Sequence, residues 1–200
     1  MLRGFNRKST PQVKNGRVQK KHNGHETADY YNSPQRLPVI DRKRPGPGYR
    51  HVLKQKDIHD FINILPNWPE LSKGLNGIIL APGEWGTYGY HLPGVVHICA
   101  WDKEYWFALT SQGYEDEREF LELLGVPIER RKGGVLCKFN ENTARAHQLL
   151  GTLLHELGHH YDRITTKSQI DASRGEPYAD EYARRYAERI WDSYTKVFEM

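Results

Sequence analysis

The sequence predicts an α+β fold, a small mixed β-sheet packed on a long helix and followed by a C-terminal helix. Three observations carry this. Apolar residues recur at helical spacing in four segments, runs rich in Ile, Val and aromatics lie between them, and Gly, Pro and charged turns separate the two kinds. The chain has 200 residues, enough for one domain and an appendage, since a single core typically needs about 100 to 150.

The appendage is read at the N-terminus. Residues 1–50 hold 12 Lys/Arg against 3 Asp/Glu, and residues 51–200 hold 17 against 22, so the head is +9 and the body −5. Residues 1–48 contain Pro11, Pro34, Pro38, Pro45 and Pro47 and no sustained apolar period. Such a segment buries too little surface to offset its ordering entropy. It is therefore expected to be a disordered basic tail, with the folded domain spanning 49–200. Lys20-Lys21 and Arg42-Lys43-Arg44 would suit nucleic-acid phosphates, although a solvated tail is the commoner meaning of such charge runs.

The domain opens with Lys54–Leu65, where Ile58, Phe61, Ile62 and Leu65 make one helical face before Pro66. Gly77–Ala81, Gly94–Trp101 and Tyr105–Thr110 read as strands of one sheet, the last two as a hairpin across Asp102-Lys103-Glu104. Glu115–Leu124 reads as an acidic helix ended by Gly125, and Val135–Phe139 as a further strand. Asn140 or Asn142 caps a long helix, Thr143–Asp162. Pro177 is tolerated in the first turn of a last helix reaching about Phe198. Cys99 and Cys137 stand far apart among apolar residues, which fits buried thiols better than a disulfide framework or a metal knuckle. Without an apolar leader or a run of roughly 18 apolar residues, the expected location is cytoplasmic.

The long helix contains His155-Glu156-Leu157-Gly158-His159. Four residues make just over one turn, so both imidazoles leave one face and can grip one ion. Ala146, Leu149, Leu150, Leu153 and Leu157 fall roughly 120° to 220° from His155 on the helical wheel, so the histidines flank an apolar stripe without interrupting it. A hydrolytic zinc takes three protein ligands and keeps a fourth position open, which demands a third ligand from elsewhere. Glu176-Pro177-Tyr178-Ala179-Asp180 begins 17 residues after His159. Glu176 and Asp180 share a wheel face with Ala183, Ala187, Ile190, Trp191 and Tyr194, and carboxylates aimed at a core are costly unless paired or metal-bound. The plainer alternative is an exposed histidine face and a glutamate favoured by the helix dipole.

HExxH followed by E-x-x-A-D resembles the gluzincin group of zinc metallopeptidases, especially the HtpX-like and ImmA/IrrE-like families, over about residues 140–190. The resemblance implies a zincin-like domain in which His155, His159 and Glu176 bind one Zn2+ per chain and the C-terminal helix supplies the third ligand. Glu156 would activate the water as general base, and Asp180 would orient a ligand histidine, His155. The implied substrate is a protein or peptide. HtpX-like enzymes are membrane-anchored, and this chain has no such span, so that role does not transfer. Thr165 and Asp162 stand where a metzincin has His and Gly. Asp162 or Asp171 would be the third ligand of an aspartate-type site.

Other side chains stay open at this level. His160, Tyr161, Tyr178 and Tyr182 are candidate donors to an oxyanion. Gly94–Trp101 is the nominated strand for pairing with substrate backbone, and its His97 reads as a sheet residue before a ligand. Trp85, Tyr88, Tyr90, Trp101, Tyr105 and Trp106 read first as core and sheet packing, and otherwise as a groove. Two other functions share the motif: a zinc-containing module that binds nucleic acid or protein, and a toxin or effector built on the same core.

Overall fold

The computed structural model describes residues 13–14, 17–18, 29–167 and 172–200. Near the N-terminus, β1 (Val13–Lys14) and β2 (Arg17–Val18) form a short antiparallel ladder. The chain then runs through β3 (Val39–Arg42), β4 (Tyr49–Arg50), α1 (Gln55–Ile64), α2 (Trp68–Leu71), β5 (Gly77–Ala81), β6 (Gly89–Leu92) and β7 (Val95–Cys99). β8 (Trp101–Asp102), β9 (Trp106–Thr110), α3 (Ser111–Leu123), β10 (Ile128–Arg131) and β11 (Gly134–Lys138) follow. The last third is helical: α4 (Glu141–Ala146), a π-helical stretch His147–Leu153, α5 (Leu154–Thr165) and α6 (Gly175–Phe198).

The principal sheet is mixed, in the order β3-β5-β7-β6, with β3, β5 and β7 parallel and β6 antiparallel to β7. All five residues of β5 and of β7 are buried, as strands covered on both faces must be. β9, β10 and β11 form a second, antiparallel sheet in the order β10-β11-β9. The expected hairpin across Asp102-Lys103-Glu104 is therefore corrected. The outer side of β7 is taken by β6, folded back through Gly94 at φ +77°. Trp101–Asp102 pairs instead with Tyr49–Arg50, and β9 is left to join β11.

The boundary at Tyr49 is also corrected. Tyr30 is 2% exposed and packs with Ile79 and Val95, and its hydroxyl donates to Asp41 Oδ2 at 2.8 Å. Val39–Arg42 is an edge strand on β5, so the folded unit reaches back at least to Tyr30. Edge strands carry charge where central ones cannot, which is why Asp41-Arg42-Lys43-Arg44 looks like tail. Lys20-Lys21 lies outside the described residues.

The helices pack through one apolar cluster that includes Ile58 and Phe61 of α1, Leu153, Leu154 and Leu157 of the long helix, and Ile190 and Tyr194 of α6. Asn140 caps α4, its Oδ1 accepting from Thr143 N at 2.9 Å. The π-helical stretch buries His147 and Gln148 along with Leu149, Leu150 and Leu153. Gln148 Nε2 donates to Cys99 O at 2.7 Å, which ties the helix to the end of β7. Cys99 and Cys137 are both buried and free. Among the described residues no helix is long and apolar enough to cross a membrane.

Candidate metal centre

Two helices build the site. α5 carries His155 and His159 one turn apart, with their Nε2 atoms 3.0 Å from each other. The first turn of α6 brings Glu176 across them, Oε2 lying 3.1 Å from His155 Nε2 and Oε1 3.3 Å from His159 Nε2. A tetrahedral ion with bonds of about 2.0 to 2.1 Å has ligand-to-ligand edges of about 3.3 Å. The two imidazole nitrogens, each with one carboxylate oxygen of Glu176 beside it, thus stand near the spacing that one small divalent cation requires, and these residues fit such an ion.

The approach of the helices depends on two small residues within the motifs. A Cβ on Gly158 would lie 3.0 Å from Ala179 Cα and 3.2 Å from Tyr182 Cβ. Ala179 is itself fully buried. The start of α6 is fixed from below by Asp162, which is 0% exposed. Its Oδ2 accepts from Arg174 N at 2.7 Å and its Oδ1 lies 3.1 Å from Arg174 Nε. Asp162 is thereby committed to Arg174 and is no metal ligand, and Asp171 lies outside the described residues. Nothing in the spacing of 162 and 174 announces this pair. Its only sequence signal is a carboxylate at a buried position of an amphipathic helix.

Asp180 Oδ1 lies 2.9 Å from His155 Nδ1. Accepting that N–H leaves the Nε2 lone pair of His155 directed at the other two donors. His159 has a pKa lowered by burial and by His155, against the pull of Glu176, which favours the neutral imidazole that a metal needs. Both carboxylates lie on the wheel face of Ala183 and Ala187, but that face borders a cleft, and the side chains of Glu176 and Asp180 are 74% and 70% exposed. The expectation that they point into a core is corrected accordingly.

Glu156 behaves differently. It is 6% exposed, and burial, followed by the charge of Glu176, pushes its pKa up to about 8. β6 covers it closely. A Cβ on Gly89 would meet Thr152 Cγ2 at 2.6 Å and Glu156 Oε1 at 2.9 Å, so only glycine lets the strand approach the carboxyl. Gly94–Trp101 is the strand expected beside the cleft. β7 is instead enclosed by β5 and β6, and the bordering edge belongs to β6.

The remaining candidates are occupied elsewhere. His160 Nε2 lies 3.0 Å from Lys73 O. Tyr161 of α5 and Tyr178 of α6 pack against Tyr182, whose ring stacks on Tyr186. None of the four proposed oxyanion donors lines the cleft. His97 Nε2 lies 2.9 Å from the Tyr31 hydroxyl and its ring stacks on Tyr90 at 4.1 Å, so it is a sheet residue. The aromatic cluster divides: Trp101 is core, whereas Trp85 is 90% exposed and, with Trp106, lines a second cavity of about 570 Å³.

No protein-family model, curated protein or solved structure matches this chain.

Proposed function

We propose that the chain is a zinc-dependent metallopeptidase with a zincin-like domain, hydrolysing peptide bonds in a protein or peptide substrate. One observation carries this reading: His155, His159 and Glu176 converge from two helices beside the buried carboxyl of Glu156. Two imidazoles and one carboxylate are a donor set that hydrolytic zinc uses, whereas a structural zinc usually closes with four protein ligands. Among the described residues the group has three, and the exposed side of Glu176 faces a cleft of about 700 Å³.

Zinc, when bound, supplies Lewis acidity, polarising a carbonyl and bringing the pKa of a coordinated water toward about 7. The side chains do the rest. Asp180 holds the Nδ1 proton of His155 and so keeps its Nε2 free to ligate. Glu156 accepts the proton of the attacking water at its carboxylate, where burial makes it a stronger base than a solvated glutamate, and returns that proton to the leaving amine. Gly89 and Thr152 close over Glu156 and exclude bulk water from that side. The outer edge of β6 offers backbone groups with which an extended substrate can pair.

Replacing Glu156 with Gln tests the assignment. The expected result is zinc content near one per chain with chelator-sensitive cleavage of an unfolded protein abolished. Unchanged turnover in E156Q would remove Glu156 as the base. A toxin or effector carrying this core would show the same result, since it would share the chemistry and differ in its target.

A further inference from the structure

The cleft continues past the triad into a cavity whose interior the hydrolytic step does not use. Its floor is formed by Tyr88, Phe120, Leu150, Gly151 and His147. The absent side chain at Gly151 keeps that floor open, since a Cβ there would meet Phe120 Cε1 at 2.9 Å. His147 is only 9% exposed, is ringed by Tyr88, Trp101, Phe107, Phe120 and Phe139, and has no hydrogen-bond partner for Nδ1. That nitrogen lies 4.0 Å from where a residue-151 side chain would begin. Burial lowers the His147 pKa to about 4, so at neutral pH the ring is uncharged and keeps one lone pair to accept with.

The wall above this floor is acidic. Asp116, Glu117 and Glu119 of α3 line the cavity, and neither Glu117 nor Glu119 has an ion-pair partner among the described residues. Burial raises the Glu117 pKa, with Asp180 and Asp116 adding to the rise and His155 opposing it. The lining's one arginine, Arg184, is already paired with Glu181 and Glu188.

We infer that this cavity receives a basic side chain of the substrate, Arg or Lys, its aliphatic stem against Phe120 and Leu150 and its cation drawn in by the α3 carboxylates. An apolar channel with an acidic wall suits a long apolar stem that ends in a cation. His147 is then an acceptor at the floor for an N–H donor. The inference rests on the peptidase reading of the same cleft.

The test is to digest a reduced, unfolded protein mixture with the zinc-loaded chain and read the new termini by mass spectrometry. Arg or Lys should be enriched at one fixed position within two residues of the cut. In matched peptides Glu117→Gln should lower the Arg-to-Leu preference in kcat/KM about tenfold, the equivalent of about 1.4 kcal/mol. E117K should abolish it while zinc content is kept. Cleavage without any basic preference, or a preference unchanged in E117K, overturns the inference and leaves the peptidase reading intact. Absence of all cleavage overturns the peptidase reading. A binding arm then decides the cavity: the metal-free protein is titrated with N-acetyl-arginine amide and with N-acetyl-norleucine amide, and the His147 ring is followed by NMR. A shift with the arginine probe alone supports the inference, and equal or absent shifts overturn it.

Discussion

Glu156 is the side chain at which burial and chemistry oppose each other most directly. A carboxyl 6% exposed with a pKa near 8 is protonated across most of the neutral range when no cation is near. Its folded pKa lies above its unfolded value of about 4.5, so the folded state binds the extra proton and stability falls as pH rises through that window. Above pH 8 the cost is complete. Glu156→Gln should therefore stabilise the metal-free protein at pH 8.5, on the order of a few kcal/mol, and have little effect at pH 4.5. Denaturant melts of both proteins in a chelator would check this, and a gain independent of pH would contradict it. The motif His155 to His159 was legible because four residues make one turn, and that fact needs no tertiary context. The environment of Glu156 was not, because its cover comes from Gly89, more than 60 residues earlier in the chain.

At the scale of elements, the site depends on how closely α5 and α6 approach. Gly158 and Ala179 permit the contact, and the Asp162–Arg174 pair sets where α6 begins. Gly158→Ala should gain about 1 kcal/mol of helix propensity and lose about 1 to 3 kcal/mol to overpacking against backbone that cannot yield. The decisive readout is zinc affinity, which should fall because Glu176 is carried away with α6. A G158A protein that binds zinc as tightly as the parent would show that the close approach is not what places Glu176. Helices α1, α3, α5 and α6 and strands β5, β7, β9 and β11 were readable from apolar period and turn residues. β6 and β3 were not. Gly89, His91 and the basic flank of β3 lack the apolar alternation of a strand, and pairing with β7 and β5 decides their conformation. The π-helical stretch before α5 was invisible for the same reason. It serves the burial of His147 among aromatic rings contributed by three other elements and two loops.

Over the whole molecule, four histidines are held uncharged by burial. His97, His147 and His160 have pKa values pushed down to about 4 and His91 to about 3, in each case chiefly by burial, with Arg163 adding to the shift of His91 and of His160. Each has a folded pKa below its unfolded value of 6.5. Their contribution is fully present above pH 6.5 and is lost as pH falls toward 4, because the unfolded chain takes up the protons. Glu156 works in the opposite sense over part of that window. The metal-free protein should consequently lose stability between pH 6.5 and 4.5 with an uptake on unfolding approaching about three protons. Unfolding free energies measured against pH give that number from their slope, and a flat profile would contradict the burial of these rings. The reading of residues 30–48 as part of a tail failed at this scale too. A hydroxyl on Asp41 and a ring under Ile79 and Val95 hold Tyr30 in the fold, contacts that no local pattern records.

The proposed zinc site stands or falls with Glu176 as its third donor beside His155 and His159. Equilibrium zinc binding to the purified chain and to Glu176→Gln, read by competition with a chelator of known affinity, tests it most directly. One high-affinity zinc per chain is expected, weakened at least about 100-fold in E176Q; equal affinity in the two proteins would rule Glu176 out as a ligand.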